Sequence, residues 1–224
     1  MLVAALMLAG TFWTLRLADP TILRSGTLQP FNPLENVWRF VKQPRLRLAW
    51  AIAFGRSVFW SALFIYGPIL LLESGLTKQQ GGYLISASQL LLPAALVFGW
   101  LARRFTVRHV ITTAFLGIST ATIIAASTGA AQPLVTIVML LLAALCATAL
   151  DGVGAVPYMR AVKPRERQQM TSVYRTFLEI SDILPGMIFM VLLTLFGTAV
   201  VFVVVGSFAA VLAILAWRHL PKSL

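Results

Sequence analysis

Residues 134–158 read LVTIVMLLLAALCATALDGVGAVPY, with Asp151 as their one charged side chain. About 20 apolar residues of helix cross a hydrocarbon core roughly 30 Å thick, so this run is long enough to span a bilayer. With no water there to satisfy the backbone, a spanning segment must be a helix or part of a closed barrel. Barrel strands alternate in polarity and this run does not. Five more runs of the same kind lie at 48–72, 81–101, 110–127, 171–195 and 198–217. The sequence therefore predicts an all-α fold, a polytopic membrane bundle of six full transmembrane helices over 48–217.

The remaining segments take their places around these runs. Residues 1–15 are apolar but about a turn too short to span. They lack the basic n-region and small-residue cleavage site of a signal peptide, so 1–17 is expected to be the tail of a helix that begins upstream. Residues 18–47 form the one long connection, and 218–224 a polar tail. Within the long connection Asn32, Pro33 and Glu35 resemble a helix start, and Leu34, Val37, Trp38 and Val41 follow at helical spacing until Pro44. A short amphipathic helix on the membrane surface is expected there, with a flexible basic linker as the alternative.

Composition agrees. Hydrophobic residues make up 59% of the 224, and only 11% are charged, against about 25% in average soluble domains. A water-soluble globule is excluded on those terms. The net charge of +11 arises from 18 Lys and Arg against 7 Asp and Glu, and position decides its meaning. The basic residues lie between apolar runs, not along one face, so nucleic acid is not the expected partner.

Alternate connections carry those charges. Arg16, Arg24, Arg39, Lys42, Arg45 and Arg47 lie in the first, Arg103, Arg104 and Arg108 in the third, Arg160, Lys163, Arg165 and Arg167 in the fifth, and Arg218 and Lys222 in the tail. The intervening connections hold only Lys78. The positive-inside rule then puts the long loop and the C-terminus in the cytoplasm, in a cell inner membrane. Trp50, Trp100, Tyr158 and Trp217 fall at the same ends and are expected to be interfacial aromatics.

Ionisable groups inside spans are costly and mark functional faces. Here they are Arg56, Asp151, Arg175, Glu179 and Asp182. At about 100° per residue, Arg175, Glu179 and Asp182 share an arc of roughly 60°, which cannot face lipid. Glu179 is in reach of Arg175 at i,i+4, leaving Asp182 near mid-membrane without an intrahelical partner. A carboxylate so placed suits proton uptake and release, and Pro185-Gly186 beside it suggests a hinge or a broken helix. Arg56, with Trp60 and Phe64 at helical spacing, marks a second inward face, either as an anion or substrate anchor or as a structural ion-pair partner. Gln89 adds hydrogen-bonding capacity in the next span.

Some chemistry lacks its parts. The single cysteine, Cys146, permits no intrachain disulfide and no Cys-based metal site. There is no phosphate-cradling Gly-Lys-Ser/Thr loop, no His-Glu-x-x-His and no Gly-x-Ser-x-Gly elbow. No cofactor, metal or enzymatic activity is expected from these residues.

Gly99-Trp100-Leu101-Ala102-Arg103-Arg104-Phe105-Thr106-Val107-Arg108 resembles the cytoplasmic signature loop of the major facilitator superfamily. That signature reads roughly Gly-x-Leu-Ala-Asp-Arg-x-Gly-Arg-Arg and occurs in degenerate form between helices eight and nine. Gly99, Leu101, Ala102, Arg104 and Arg108 match; Arg103 stands for the acid, Thr106 for the second glycine and Val107 for one basic residue. The layout is similar too, since a helix tail, a long basic loop and six spans resemble the end of helix six and helices seven to twelve.

The resemblance implies the C-terminal half of a secondary active transporter of a small solute, working by alternating access and driven by a proton or substrate gradient, with proton coupling expected here from Asp182. Its partners would be the lipid bilayer, a small-molecule or ion substrate and the N-terminal half, in the same polypeptide or another chain. On that reading Arg56, Trp60, Phe64, Gln89, Glu179 and Asp182 are candidates for the substrate cavity, with Asp182 as proton site. Asp151, Arg103, Arg104, Arg108 and Arg175 are candidates for the cytoplasmic gate, with Asp151 expected to pair with Arg103 or Arg104. Two other classes stay open: a non-transporting membrane scaffold or receptor, and an integral-membrane enzyme acting on a lipid-linked substrate.

Overall fold

The computed structural model describes residues 33–129, 131–163 and 166–221. The expected helix tail at 1–17, the first part of the long loop and the Asn32 cap lie outside the described residues. Among those described there are helices and no strands. They are α1 (Pro33–Lys42), α2 (Pro44–Glu73), α3 (Lys78–Leu90), a 3₁₀ turn (Leu92–Ala94), α4 (Ala95–Phe105), α5 (Val107–Thr128), α6 (Pro133–Val153), α7 (Val156–Ala161), α8 (Arg167–Phe196) and α9 (Thr198–His219). Taking α3 with α4 and α6 with α7, six helices are long and apolar enough to cross a membrane. The chain is a polytopic helical membrane protein.

The helix boundaries follow local chemistry. Pro44 occupies the first turn of α2, where its missing N–H costs nothing. Thr77 and Gln80 close a capping box at the start of α3, each satisfying a backbone N–H of the other. Two tight reversals, α2 to α3 and α8 to α9, turn at Gly75 and Gly197, both at φ 81, where a Cβ would be strained. The α4–α5 corner turns on a residue that does carry one, Thr106 at φ 79.

Two prolines inside apolar runs behave differently. Around Pro93 the helix gives way to the 3₁₀ turn that separates α3 from α4. Pro185 lies inside an uninterrupted α8, so the break suggested for Pro185-Gly186 is found at Pro93 instead. The predicted surface helix is present as α1. Its Asn36 and Phe40 are buried, while Val37, Trp38 and Val41 are exposed as an apolar stripe suited to the bilayer surface.

In lipid, helices gain little by hiding apolar surface from one another, so close packing through small residues carries the bundle. A Cβ added to Gly206 of α9 would lie 2.6 Å from Thr122 Oγ1 and 3.0 Å from the Ser119 carbonyl oxygen of α5. At Gly152 of α6 it would lie 2.5 Å from the Ala95 carbonyl oxygen at the start of α4. Phe115, Phe202, Ile111 and Leu212 fill the space between α5 and α9 without residual exposure above 1%. Helix α2 packs against α3, α6, α8 and α9 and is the hub of the bundle.

Burial is uneven around that hub. In the most apolar stretch of each span, 44–56% of residues are buried for α2, α5, α6–α7 and α9, against 11% for α3–α4 and 17% for α8. The two sparsely covered spans flank α2.

Candidate functional site

A charged cluster sits where α2, α6 and α8 meet. Arg56 follows twelve residues after Pro44, so it lies roughly 18 Å along α2. Its Nη1 is 2.7 Å from Asp151 Oδ1, an ion pair between side chains 24% and 22% exposed. Trp60, one turn on, donates its Nε1–H to the other carboxylate oxygen at 3.1 Å. Both oxygens of Asp151 are thereby held by donors from one helix, a charge-assisted arrangement that fixes the carboxylate.

Aromatic rings surround the pair. Phe64 stacks on Trp60 at 5.3 Å between centroids. The Arg56 guanidinium carbon lies 5.7 Å from the Phe177 centroid on α8, within cation–π range. Phe177 meets Tyr174 edge to face at 5.2 Å, and Tyr174 stacks on Tyr158 at 4.0 Å. The Arg56 Nε is buried without a hydrogen-bond partner, so one edge of the guanidinium retains an unused donor.

The structure thus joins Arg56, Trp60 and Phe64, taken as cavity candidates, to Asp151, taken as a gate candidate. The expected partners Arg103 and Arg104 do not hold Asp151; Arg56 does. Asp151 lies on the face of α6 turned toward α2, which sets that choice. Arg108 is also engaged elsewhere, donating to the Trp217 carbonyl at the end of α9 with its guanidinium 4.3 Å from that ring. Arg103 and Arg104 are exposed at the end of α4.

Helix α8 presents three faces. Met170, Tyr174, Phe177, Ser181 and Phe189 are buried against the bundle. Arg175, Glu179 and Asp182 are exposed on a stripe about 110° around from it. Ile183, Met187 and Met190, each about two-thirds exposed, form the apolar remainder. Arg175, Glu179 and Asp182 make no ion pair among the described residues, so the i,i+4 contact is not formed. Asp182 stands at the midpoint of α8, roughly 22 Å from either end. Gln89 is exposed on α3. These residues are not part of the Arg56 cluster but share the two sparsely covered spans.

Tyr158 corrects an expectation. It is 1% exposed and stacked on Tyr174, with its hydroxyl 2.9 Å from Thr171 Oγ1, and so is an interior residue and not an interfacial aromatic. Trp100 and Trp217 are about half exposed at helix ends. Tyr174 and Phe177 lie beside the charged stripe of α8 and carry no charge that would mark them in the sequence. Their own i,i+3 spacing was the available signal. Among the described residues no three His, Cys, Asp or Glu side chains gather as a metal site.

The chain matches no protein-family model, no curated protein and no solved structure.

Proposed function

We propose that the chain is one half of a secondary active transporter of the major facilitator type, moving a small solute by alternating access with proton coupling. The observation that carries this reading is the exposed stripe of Arg175, Glu179 and Asp182 on α8, together with Gln89 on α3. Charges at mid-membrane cannot face lipid, so this side of the bundle must border a water-filled cavity or a second protein surface. A complementary helical half supplies both.

The α4–α5 corner adds support. The signature that this corner resembles has glycine at the position of Thr106, and Thr106 is the one non-glycine residue at positive φ among those described. The backbone therefore has the conformation for which glycine is suited. On this reading the basic connections and the C-terminus face the cytoplasm, in an inner membrane. Arg56 serves as the solute anchor, and Asp182 exchanges the proton.

Proteoliposomes holding the bundle with its complementary half, loaded with a pH-sensitive dye, test the proposal. A panel of amphipathic organic cations and anions is added outside under an imposed pH gradient. Substrate-dependent proton movement, lost in Asp182→Asn at unchanged membrane insertion, is the expected result. Silence across the panel, with a reaction product formed from a lipid-linked donor in detergent, would replace transport with catalysis.

A further inference from the structure

A cavity of about 430 Å³ opens between the α4–α5 corner and the α6–α7 corner, and none of Arg56, Trp60 and Asp151 lines it. Arg103, Arg104 and Arg160 line it, beside Gly152, Val153 and Val156, and among the described residues no acidic one does. Arg103 and Arg104 make no ion pair among the described residues, so two like charges stand beside this space with no carboxylate from the described residues between them. Such an arrangement is unfavourable until an anion enters. Gly152, one of the lining residues, lets α6 approach the Ala95 carbonyl of α4 through its missing side chain.

The surroundings choose among anions. Trp100 and Phe105, 51% and 56% exposed, stand on the same helix end, and the Arg104 guanidinium lies 6.0 Å from the Trp100 centroid. Exposed aromatics beside arginines at the end of a span mark the headgroup layer of the bilayer. The cavity is also part apolar, through Val153 and Val156, which a freely soluble phosphate does not need and a glycerol backbone does. Basic pockets between spans are established binding places for phosphate-bearing lipids.

We propose that this cavity binds the headgroup of an anionic phospholipid, with guanidinium forks of Arg103 and Arg104 on the phosphate and the glycerol against Val153 and Val156. The site is independent of the transport reading and requires only that the chain spans a membrane. A lipid bound there ties α4 to α6 and α7 at one end of the bundle.

Native mass spectrometry of the chain released from nanodiscs of mixed phosphatidylglycerol and phosphatidylcholine tests it. The wild type should retain phosphatidylglycerol over phosphatidylcholine, and Arg103→Ala with Arg104→Ala should reduce that retention roughly tenfold or more. Val156→Phe, which fills the cavity and leaves every charge in place, should reduce it as well. Arg47→Ala with Arg218→Ala removes the same charge from exposed positions elsewhere and should leave retention unchanged. Equal loss in this control pair, no effect of Val156→Phe, or displacement of the lipid by inorganic phosphate would each overturn the proposal. Circular dichroism of every variant shows whether the bundle is intact, and Arg103→Lys with Arg104→Lys keeps charge should the alanine pair fail to fold.

Discussion

Arg56 and Asp151, 95 residues apart in the chain, are joined at 2.7 Å between α2 and α6. The Trp60 indole completes the hold on the carboxylate from the same helix face as Arg56. Breaking a fully buried pair by removing one partner costs roughly 3–5 kcal/mol, because the other charge is left stranded. Both side chains here keep about a quarter of their exposure, which lowers the figure. Arg56→Ala or Asp151→Ala alone should cost about 2 kcal/mol, and the double variant less than the sum by more than about 1 kcal/mol. Denaturant unfolding of the four proteins in one detergent measures the cycle, and strict additivity would show that the contact carries no coupling.

Trp60→Phe separates the indole N–H from the ring. The stack on Phe64 survives, while Asp151 loses one donor. The loss should be about 1 kcal/mol, as for an ordinary hydrogen bond with a charged acceptor partly open to solvent. The same unfolding experiment reads it. Trp60→Ala should cost clearly more, since it also empties the space beside Phe64.

How much of this was legible beforehand depended on range along the chain. The six spans were legible because an apolar run of the right length has one structural solution in lipid. The partner of Asp151 was not, since local spacing says nothing about which helix lies opposite, and the arginines of the α4–α5 corner are as plausible on sequence alone as Arg56. Pro93 and Pro185 show the same limit: each removes one backbone donor from an apolar run, and neighbouring packing decides which run breaks. Tyr158 resembled an interfacial aromatic by position alone, until α8 brought Tyr174 over it.

Thr106 offers a stabilising change. A β-branched residue at φ 79 is strained by about 1–3 kcal/mol. Its hydroxyl recovers part of this through a 2.7 Å hydrogen bond with His109 Nδ1, at an exposed position. Thr106→Gly should therefore raise stability by about 1 kcal/mol, seen as a higher midpoint in thermal unfolding. Thr106→Ala keeps a Cβ at the same φ and loses the hydrogen bond, so it should not share the gain.

Gly206 should tolerate no side chain. A methyl there meets Thr122 Oγ1 at 2.6 Å and the Ser119 backbone at 3.0 Å, and the backbone oxygen cannot swing aside. Gly206→Ala should force α5 and α9 apart and cost about 1–3 kcal/mol, as overpacking does. Gly82→Ala is the matched control, because nothing lies within 4 Å of its added Cβ. Comparable unfolding midpoints for the two variants would mean that α5 and α9 do not approach this closely.

The exposed faces of α8 make the sharpest distinction. Asp182 and Met187 are both open in the bundle, yet they lie about 140° apart around the helix. If the charged stripe borders water while the methionine face borders lipid, a cysteine at 182 meets a polar reagent and one at 187 does not. With the half-buried Cys146 replaced by alanine, Asp182→Cys in liposomes should react with a membrane-impermeant charged maleimide. Met187→Cys should react only after the bilayer is dissolved in detergent, because thiolate formation and reagent access both need water. Equal labelling of the two in liposomes would place both faces in water and remove the argument that the stripe is a cavity wall. Protection of both would put Asp182 against a dry surface, with no aqueous path along α8.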